Sequence, residues 1–434
     1  MRIRSEASRQ RGRVPAINPW IGYPTPALDL DFAEMGADGI FDSRITFSRA
    51  SIGTYFGANG VMQTAADNVP RLAYDPVTGA PLGLLVEESR TNQISYSEDF
   101  SKPIWARSAG ADVVSNAIIA PDGALTADIL EANSTVIPYI SQSIAITAGV
   151  TYCFSFFAKK KDVSRVSILL YGTNFNSGGS NVGGTFDLDT GTIYSQSAAN
   201  AGIQNAGGGW FRVWIAQTAT GTNAAEQWQL SRFADAGTTT AGYGSYIWGA
   251  QVEIGAFPSS YIPADSVSVT RAADSASMSG TNFSDWYNQS EGAFLSEFQT
   301  FATLADSIAR VIFAAGDSTT FNESIYSSRI SNSGSIGSSI IDNGVSQMSL
   351  TQGVHASDPG IKYKIALATK LNDGSAALDG TVLTDTIMTL PAVNFLGIGR
   401  ASWAAGNFLC GYIKRLTYWN ARLPDNLLAS LTGY

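Results

Sequence analysis

The sequence has one histidine, His355, and two cysteines, Cys153 and Cys410, among 434 residues. A structural zinc takes about four imidazole or thiolate ligands, so that site is excluded, and a histidine-dependent triad would rest on His355 alone. The cysteines fall in segments assigned below to different domains, each beside apolar strand residues, which favours two buried reduced thiols. Charged residues are scarce, 15% against 44% hydrophobic, so long disorder is not expected. No apolar run reaches the roughly 20 residues that span a bilayer. The arginine-rich N-terminus has no apolar h-region, so no secretory signal is read. Long Ala/Leu/Glu/Lys stretches are missing too, whereas glycine (43 residues) and aromatics (11%) are plentiful. That balance favours many short strands joined by tight turns.

Charge is unevenly placed. The first 13 residues carry five Arg and one Glu, or +4, so a net charge of −9 leaves −13 for the remainder. So acidic a body argues against a duplex nucleic-acid partner, whose affinity rests on neutralised phosphates. Residues 1–27 read as an extended N-terminal arm, because Pro15, Pro19, Pro24 and Pro26 enforce extended backbone. In this reading Arg2, Arg4, Arg9, Arg11 and Arg13 pair with an acidic surface of a larger particle, and Trp20 and Tyr23 are anchors.

Residues 28–96 read as a short β-rich module. Asp29 and Asp31 share one strand face, and turns are legible at 57–60 and 75–79. The adjacent Glu87 and Glu88 of GLLVEE point to opposite faces of a strand, a poor acid–base pair; they read as structural, with Arg90 and Arg49 as ion partners. Residues 97–265 read as a first β-sandwich. In GVTYCFSFFAKK, Tyr152, Phe154 and Phe156 line one face, and GGTFDLDTGTIYS is a hairpin in which Asp189 makes turn hydrogen bonds. Residues 266–434 begin with a polar connector and continue as a second sandwich. Its last stretch, GYIKRLTYWNARLPDNLLASL (411–431), is a strand whose alternation slips at Lys414–Arg415, as at a β-bulge. A helix follows, with Pro424 and Asp425 in its first turn and Leu427, Leu428 and Leu431 on one face. Whether the strand at 28–33 pairs with this sandwich, making the first one an insertion, stays open.

Several of these phrases carry a resemblance. Residues 411–431, with IKYKIALA (361–368), the Asn372–Asp373–Gly374 turn and FLGIGR (395–400), resemble concanavalin A/laminin G-like sandwiches of tailed-bacteriophage tail and spike proteins. There the helix cap is often Ser or Thr; here it is Pro424. The stretch ITFSRASIGTYFGANGVMQTAADNVPRLAYDPVTGAPLGLLVEESRTN resembles a segment near the N-terminus of phage tail and head-spike proteins. GGGWFRVW and YIWGAQVE resemble strands of jelly-roll carbohydrate-binding modules. The resemblance implies an all-β chain of two sandwich domains, jelly-roll and concanavalin A-like, behind an extended arm and a short β-rich module. It implies a spike or fibre component of a phage or gene-transfer-agent particle. Such a protein is made in the host cytoplasm, carried on the virion surface and released by lysis. Similar jelly-roll modules often carry a structural calcium. Asp128 and Glu253 are the candidates, although no ligand-spaced loop surrounds them and no other cofactor is expected.

A saccharide site combines a flat aromatic with amides and carboxylates that bond hydroxyl pairs. Trp105, Tyr171, Asn174, Trp228 and Gln251 in the first sandwich, and Trp403 and Asn407 in the second, are the residues of that kind. Strand alternation puts Gln227 and Gln229 on the face opposite Trp228, so only one set can line a given face. Trp105, near a loop, is expected to be exposed. No segment matches a hydrolase motif, and no catalytic residue is assigned. The expectation is a virion surface protein that docks by its arm, binds host capsular or surface polysaccharide for adsorption, forms a cyclic homo-oligomer and breaks no bond. The rival readings are a glycan depolymerase and a structural linker or decoration protein.

Overall fold

The computed structural model of the chain describes residues 20–433 except 21, 171, 177, 234–238, 304–305, 332, 355–359, 402 and 404–406. The arginines of the arm, His355 and Tyr171 lie outside these. Strands dominate and pair antiparallel throughout. One sandwich packs two six-stranded sheets. The first runs, edge to edge, through Asn200–Gly207, Trp210–Thr218, Thr151–Lys160, Gly244–Ile254, Ala127–Ala132 and Ala111–Ile118. The second runs through Thr192–Gln196, Val182–Asp187, Arg165–Leu170, Asn223–Phe233, Tyr139–Ile146 and Ala106–Arg107. Tyr152, Phe154 and Phe156 enter the core between these sheets, as their alternation requires, together with Trp105, Val166, Ile168, Trp228 and Leu230. The hairpin at 187–191 closes where Asp187 Oδ1 accepts the backbone N–H groups of Asp189 (3.0 Å) and Thr190 (3.1 Å). The turn bonds therefore belong to Asp187, and Asp189 instead pairs with Lys160 at 2.7 Å.

The other sandwich is discontinuous in sequence. Its eight-stranded sheet contains Glu291–Thr300, Tyr363–Lys370 and Gly411–Trp419, and also Leu72–Tyr74, Pro81–Val86 and Leu28–Asp31. Leu28 pairs with Tyr418 and Asp31 with Arg415. In its seven-stranded sheet, Thr46–Ser48 lies beside Ser275–Ser279. The strands at 28–31, 46–48, 72–74 and 81–86 thus complete this sandwich, while the hairpin Gly53–Phe56/Met62–Ala65 pairs only with itself and packs Met62 against Phe157 and Trp248 of the first sandwich. The chain leaves it along Arg90–Asn92 and returns along Val269–Arg271, and these two strands pair with each other. The first sandwich is inserted between them.

The closing strand carries the bulge at Lys414: Glu297 faces Arg415 while Phe298 faces Ile413. There Gly83 (φ +102°) comes so close that a Cβ would sit 2.1 Å from Ile413 O, so only glycine fits. The helix Asp425–Thr432 follows, Pro424 preceding it without a side-chain cap. It buries Leu428 and Leu431 on the outer face of the sheet, against Ala293, Leu295, Ala366 and Trp419. Truncating Leu428 to alanine would cost about 2–5 kcal/mol.

A buried lattice of arginines and carboxylates joins the sandwiches. Asp274 accepts from Arg49 (3.1 Å) and Arg71 (2.5 Å). Glu87 pairs with Arg71 (2.8 Å) and Arg271 (3.6 Å), and it accepts the Ser260 N–H and hydroxyl at 2.7 Å each. Glu88 bridges Arg90 and Arg310, at 2.6 Å from each. Burial alone would raise the Glu87 carboxyl, but Arg271, Arg71 and Ser260 hold it down at about 2. Glu87 and Glu88 are therefore structural. Arg90 is the partner of Glu88 as expected, whereas Arg49 serves Asp274.

Candidate functional site

The residues chosen from sequence scatter when placed. Trp105, expected to be exposed, is 2% accessible. Its indole packs on Phe100 and Trp228, and Nε1 donates to Tyr96 O at 2.9 Å. Trp228 is core. Gln251 is fully buried, accepting the Ile262 N–H at 2.7 Å. Asn174 donates to Glu226 Oε2 at 2.8 Å. Trp105, Trp228 and Gln251 are closed to a ligand, whereas Asn174 is half-buried with its amide engaged. The calcium candidates are likewise engaged. Asp128 accepts the Phe100 and Asn116 N–H groups, and burial pushes it up to about 6 against their pull. Glu253 accepts the Ser259 N–H and hydroxyl, both at 2.7 Å. Among the described residues no three His, Cys, Asp or Glu side chains are grouped to hold a metal ion.

Trp20, expected to be a particle anchor, is buried by its own chain. It meets Trp419 edge-on at 4.9 Å, donates to Asp29 Oδ2 at 2.8 Å and lies under the Arg415 guanidinium.

Trp403 is half-buried on the outer side of the seven-stranded sheet. It forms a trio with Phe321 (4.9 Å) and Tyr326 (5.4 Å) over Val311, Ala314 and Ala401. Asn407, in the left-handed region at φ +62°, holds that loop down through its carbonyl, which accepts the Val311 N–H at 3.0 Å. Among the described residues, this pair and Asn174 are the candidate saccharide contacts that keep partial exposure.

The face on which alternation placed Gln227 and Gln229, rather than that of Trp228, lies across the first sandwich. Beneath Trp228 and Leu230 is core; on the other side of the same strand are Gln227, Gln229 and Ser231. The registers carry this face across the sheet. Ser141 stands opposite Gln229 and Ser143 opposite Gln227. Ser231 stands opposite Ser167, and Ser167 opposite Thr185. None of these side chains belongs to the core. Ser141, Ser167, Thr185 and Gln229 are nonetheless 1–8% exposed, so they form a floor between more accessible neighbours: Tyr139 and Ser143 on one margin, Tyr194 and Ser195 on the other.

The floor is partly wired together. Gln227 Nε2 donates to Ser141 Oγ (2.8 Å), and Ser167 and Thr185 share a hydroxyl hydrogen (3.1 Å). The remaining hydrogen-bonding capacity is open. Gln229 Oε1, Ser231 Oγ and Ser143 Oγ have no side-chain partner among the described residues. At one margin the Arg165 guanidinium lies 3.7 Å over the Tyr194 ring and 3.5 Å from Asp187. Chemically the trough offers uncharged donors and acceptors in fixed rows, flanked by aromatic rings. Its signal in the sequence was the alternation in EQWQLS, YISQS and RVSIL, where the core-facing residue draws attention and its small polar neighbours do not.

No family model and no curated protein matches the sequence. Solved structures similar in fold include the CBM40 module of a Ruminococcus gnavus IT-sialidase bound to α2,3-sialyllactose. It is 15% identical over 34% of this chain and 84% of that one, with a TM-score of 0.29. A Trypanosoma rangeli sialidase in complex with the inhibitor DANA is 11% identical over 70% of this chain and 60% of its own, TM-score 0.28. The NanB sialidase of Streptococcus pneumoniae is 15% identical over 36% of this chain and 26% of its own, TM-score 0.29. At such identity the likeness concerns the β-sandwich fold alone and assigns this chain neither substrate nor reaction. The expectation that the chain breaks no bond is withdrawn, because the structures it resembles include sialidases. No helix among the described residues is long and apolar enough to cross a membrane.

Proposed function

We propose that the chain is a saccharide-binding protein that engages its ligand along the polar trough of the first sandwich. The observation that carries this reading is the row of Ser, Thr and Gln side chains on a sheet face outside the core, with open acceptors at Gln229, Ser231 and Ser143. Side-chain amides and hydroxyls both donate and accept, as sugar hydroxyls do, and the marginal tyrosines offer surfaces to the apolar faces of rings. The phage-like segments support the finer setting: a virion surface protein, cyclic homo-oligomeric, whose arginine-rich leader docks to capsid or tail proteins and whose repeated shallow sites bind host polysaccharide by avidity. Glycan-array binding of the full chain, compared with Gln229→Ala, tests the first part. Loss of array signal in the variant with unchanged near-UV circular dichroism is expected; undiminished binding would move the site elsewhere. Assay of the same glycans for shortened chains reports whether cleavage accompanies binding. Removing residues 1–19 tests the setting, with particle attachment lost and glycan binding retained.

A further inference from the structure

We infer that the trough selects neutral, hydroxyl-rich saccharides over anionic ones; this rests on the saccharide-binding reading above. A ligand carboxylate or sulfate that leaves water needs a cation in its place, since hydroxyl and amide groups alone do not offset the lost hydration. Among the described residues one cationic side chain, Arg165, lies on this face. Its register partner across the strands is Asp187, and the two are within 3.5 Å, so among the described residues this cation is matched by an anion. The guanidinium is also stacked at 3.7 Å on Tyr194, which holds it at the margin, away from Gln229 and Ser231. Beyond that margin Lys160 is matched in the same way by Asp189 at 2.7 Å. The chain as a whole, at −9, repels anions at longer range. A neutral sugar meets none of these penalties. Its vicinal hydroxyls can donate to Gln229 Oε1 and to the Ser231 oxygen and accept from the same serine.

The test titrates the full chain with a panel of neutral oligosaccharides (glucan, galactan and mannan fragments) and anionic ones (sialyllactose and a uronate oligomer), at 50 and 500 mM NaCl. The expected result is at least tenfold tighter binding of a neutral ligand, with an affinity that changes less than twofold with salt. Ser231→Arg places an unmatched cation on the floor and is expected to raise affinity for the anionic panel at least tenfold, in a salt-sensitive manner. Equal or tighter binding of the anionic ligands by the unmodified chain overturns the inference while leaving the saccharide-binding reading intact. If the folded protein binds neither panel, both fall. A Ser231→Arg variant that stays folded and gains nothing for anions also counts against the inference, because it detaches charge at this face from selectivity.

Discussion

Glu87→Gln probes the junction on which the placement of both sandwiches depends. The Glu87 carboxyl sits at about 2 in the folded chain against 4.5 for the free side chain. At about 1.4 kcal/mol per pH unit, that difference corresponds to about 3 kcal/mol of stability at neutral pH. The sign follows from the depression. The contribution is complete above about pH 4.5 and disappears as pH falls from there through about 2. The amide keeps the shape but not the charge, and it leaves Arg71 and Arg271 buried with Asp274 alone to balance them. Removing one partner from a buried ion pair typically costs about 3–5 kcal/mol, and that loss is expected at pH 7. Urea unfolding followed by tryptophan fluorescence measures it. The gap between wild type and variant is expected to narrow by about 2 kcal/mol between pH 7 and pH 3, because the unfolded carboxylate is protonated there. A variant within about 1 kcal/mol of wild type at pH 7, or a gap independent of pH, would refute the reasoning.

Other consequences concern single groups. Asp128 is pushed up to about 6 from 3.8, so its folded form takes up a proton that the unfolded chain does not. It therefore adds stability as pH falls from above 6 towards 3.8, opposite in sign to Glu87, and a carboxyl resonance titrating near pH 6 in carbon NMR should be lost in Asp128→Asn. Trp20→Ala removes an indole packed on Trp419 and is expected to cost about 3 kcal/mol, read from the thermal midpoint and from near-UV circular dichroism. A loss of particle attachment without destabilisation would instead restore Trp20 as an anchor.

Local patterns in the sequence were sound guides to local structure. The slip at Lys414 and the opposite faces of Trp228 and Gln229 follow from the period of two that neighbouring residues set, and the Pro424 helix start follows from proline's fit to a helix N-terminus. The insertion was not legible in the same way. Leu28 pairs with Tyr418 across nearly the whole chain, and strand alternation does not say which distant edge a strand joins. Trp105 shows a second limit. A loop position suggests exposure, but the indole turns inward to meet Phe100 and Trp228, a contact no spacing encodes. Arg49, Arg71, Glu87, Arg271 and Asp274 look like ordinary surface charges when read singly, and only the convergence of the chain around 49, 71–87 and 271–274 buries them. Alternation placed Gln227 and Gln229 on this face, but the serines and threonine beside them are small and common; what distinguishes them is alignment across strands that are far apart in sequence.

The central claim is most directly tested by chemical-shift mapping of a saccharide found on the array, with side-chain amide resonances of Gln227 and Gln229 as reporters. The account predicts that these amides, with Ser143 and Ser231, shift in proportion to occupancy while the Trp403 indole stays fixed. Shifts confined to the Trp403, Tyr326 and Phe321 trio, with the glutamine amides unmoved, would contradict it.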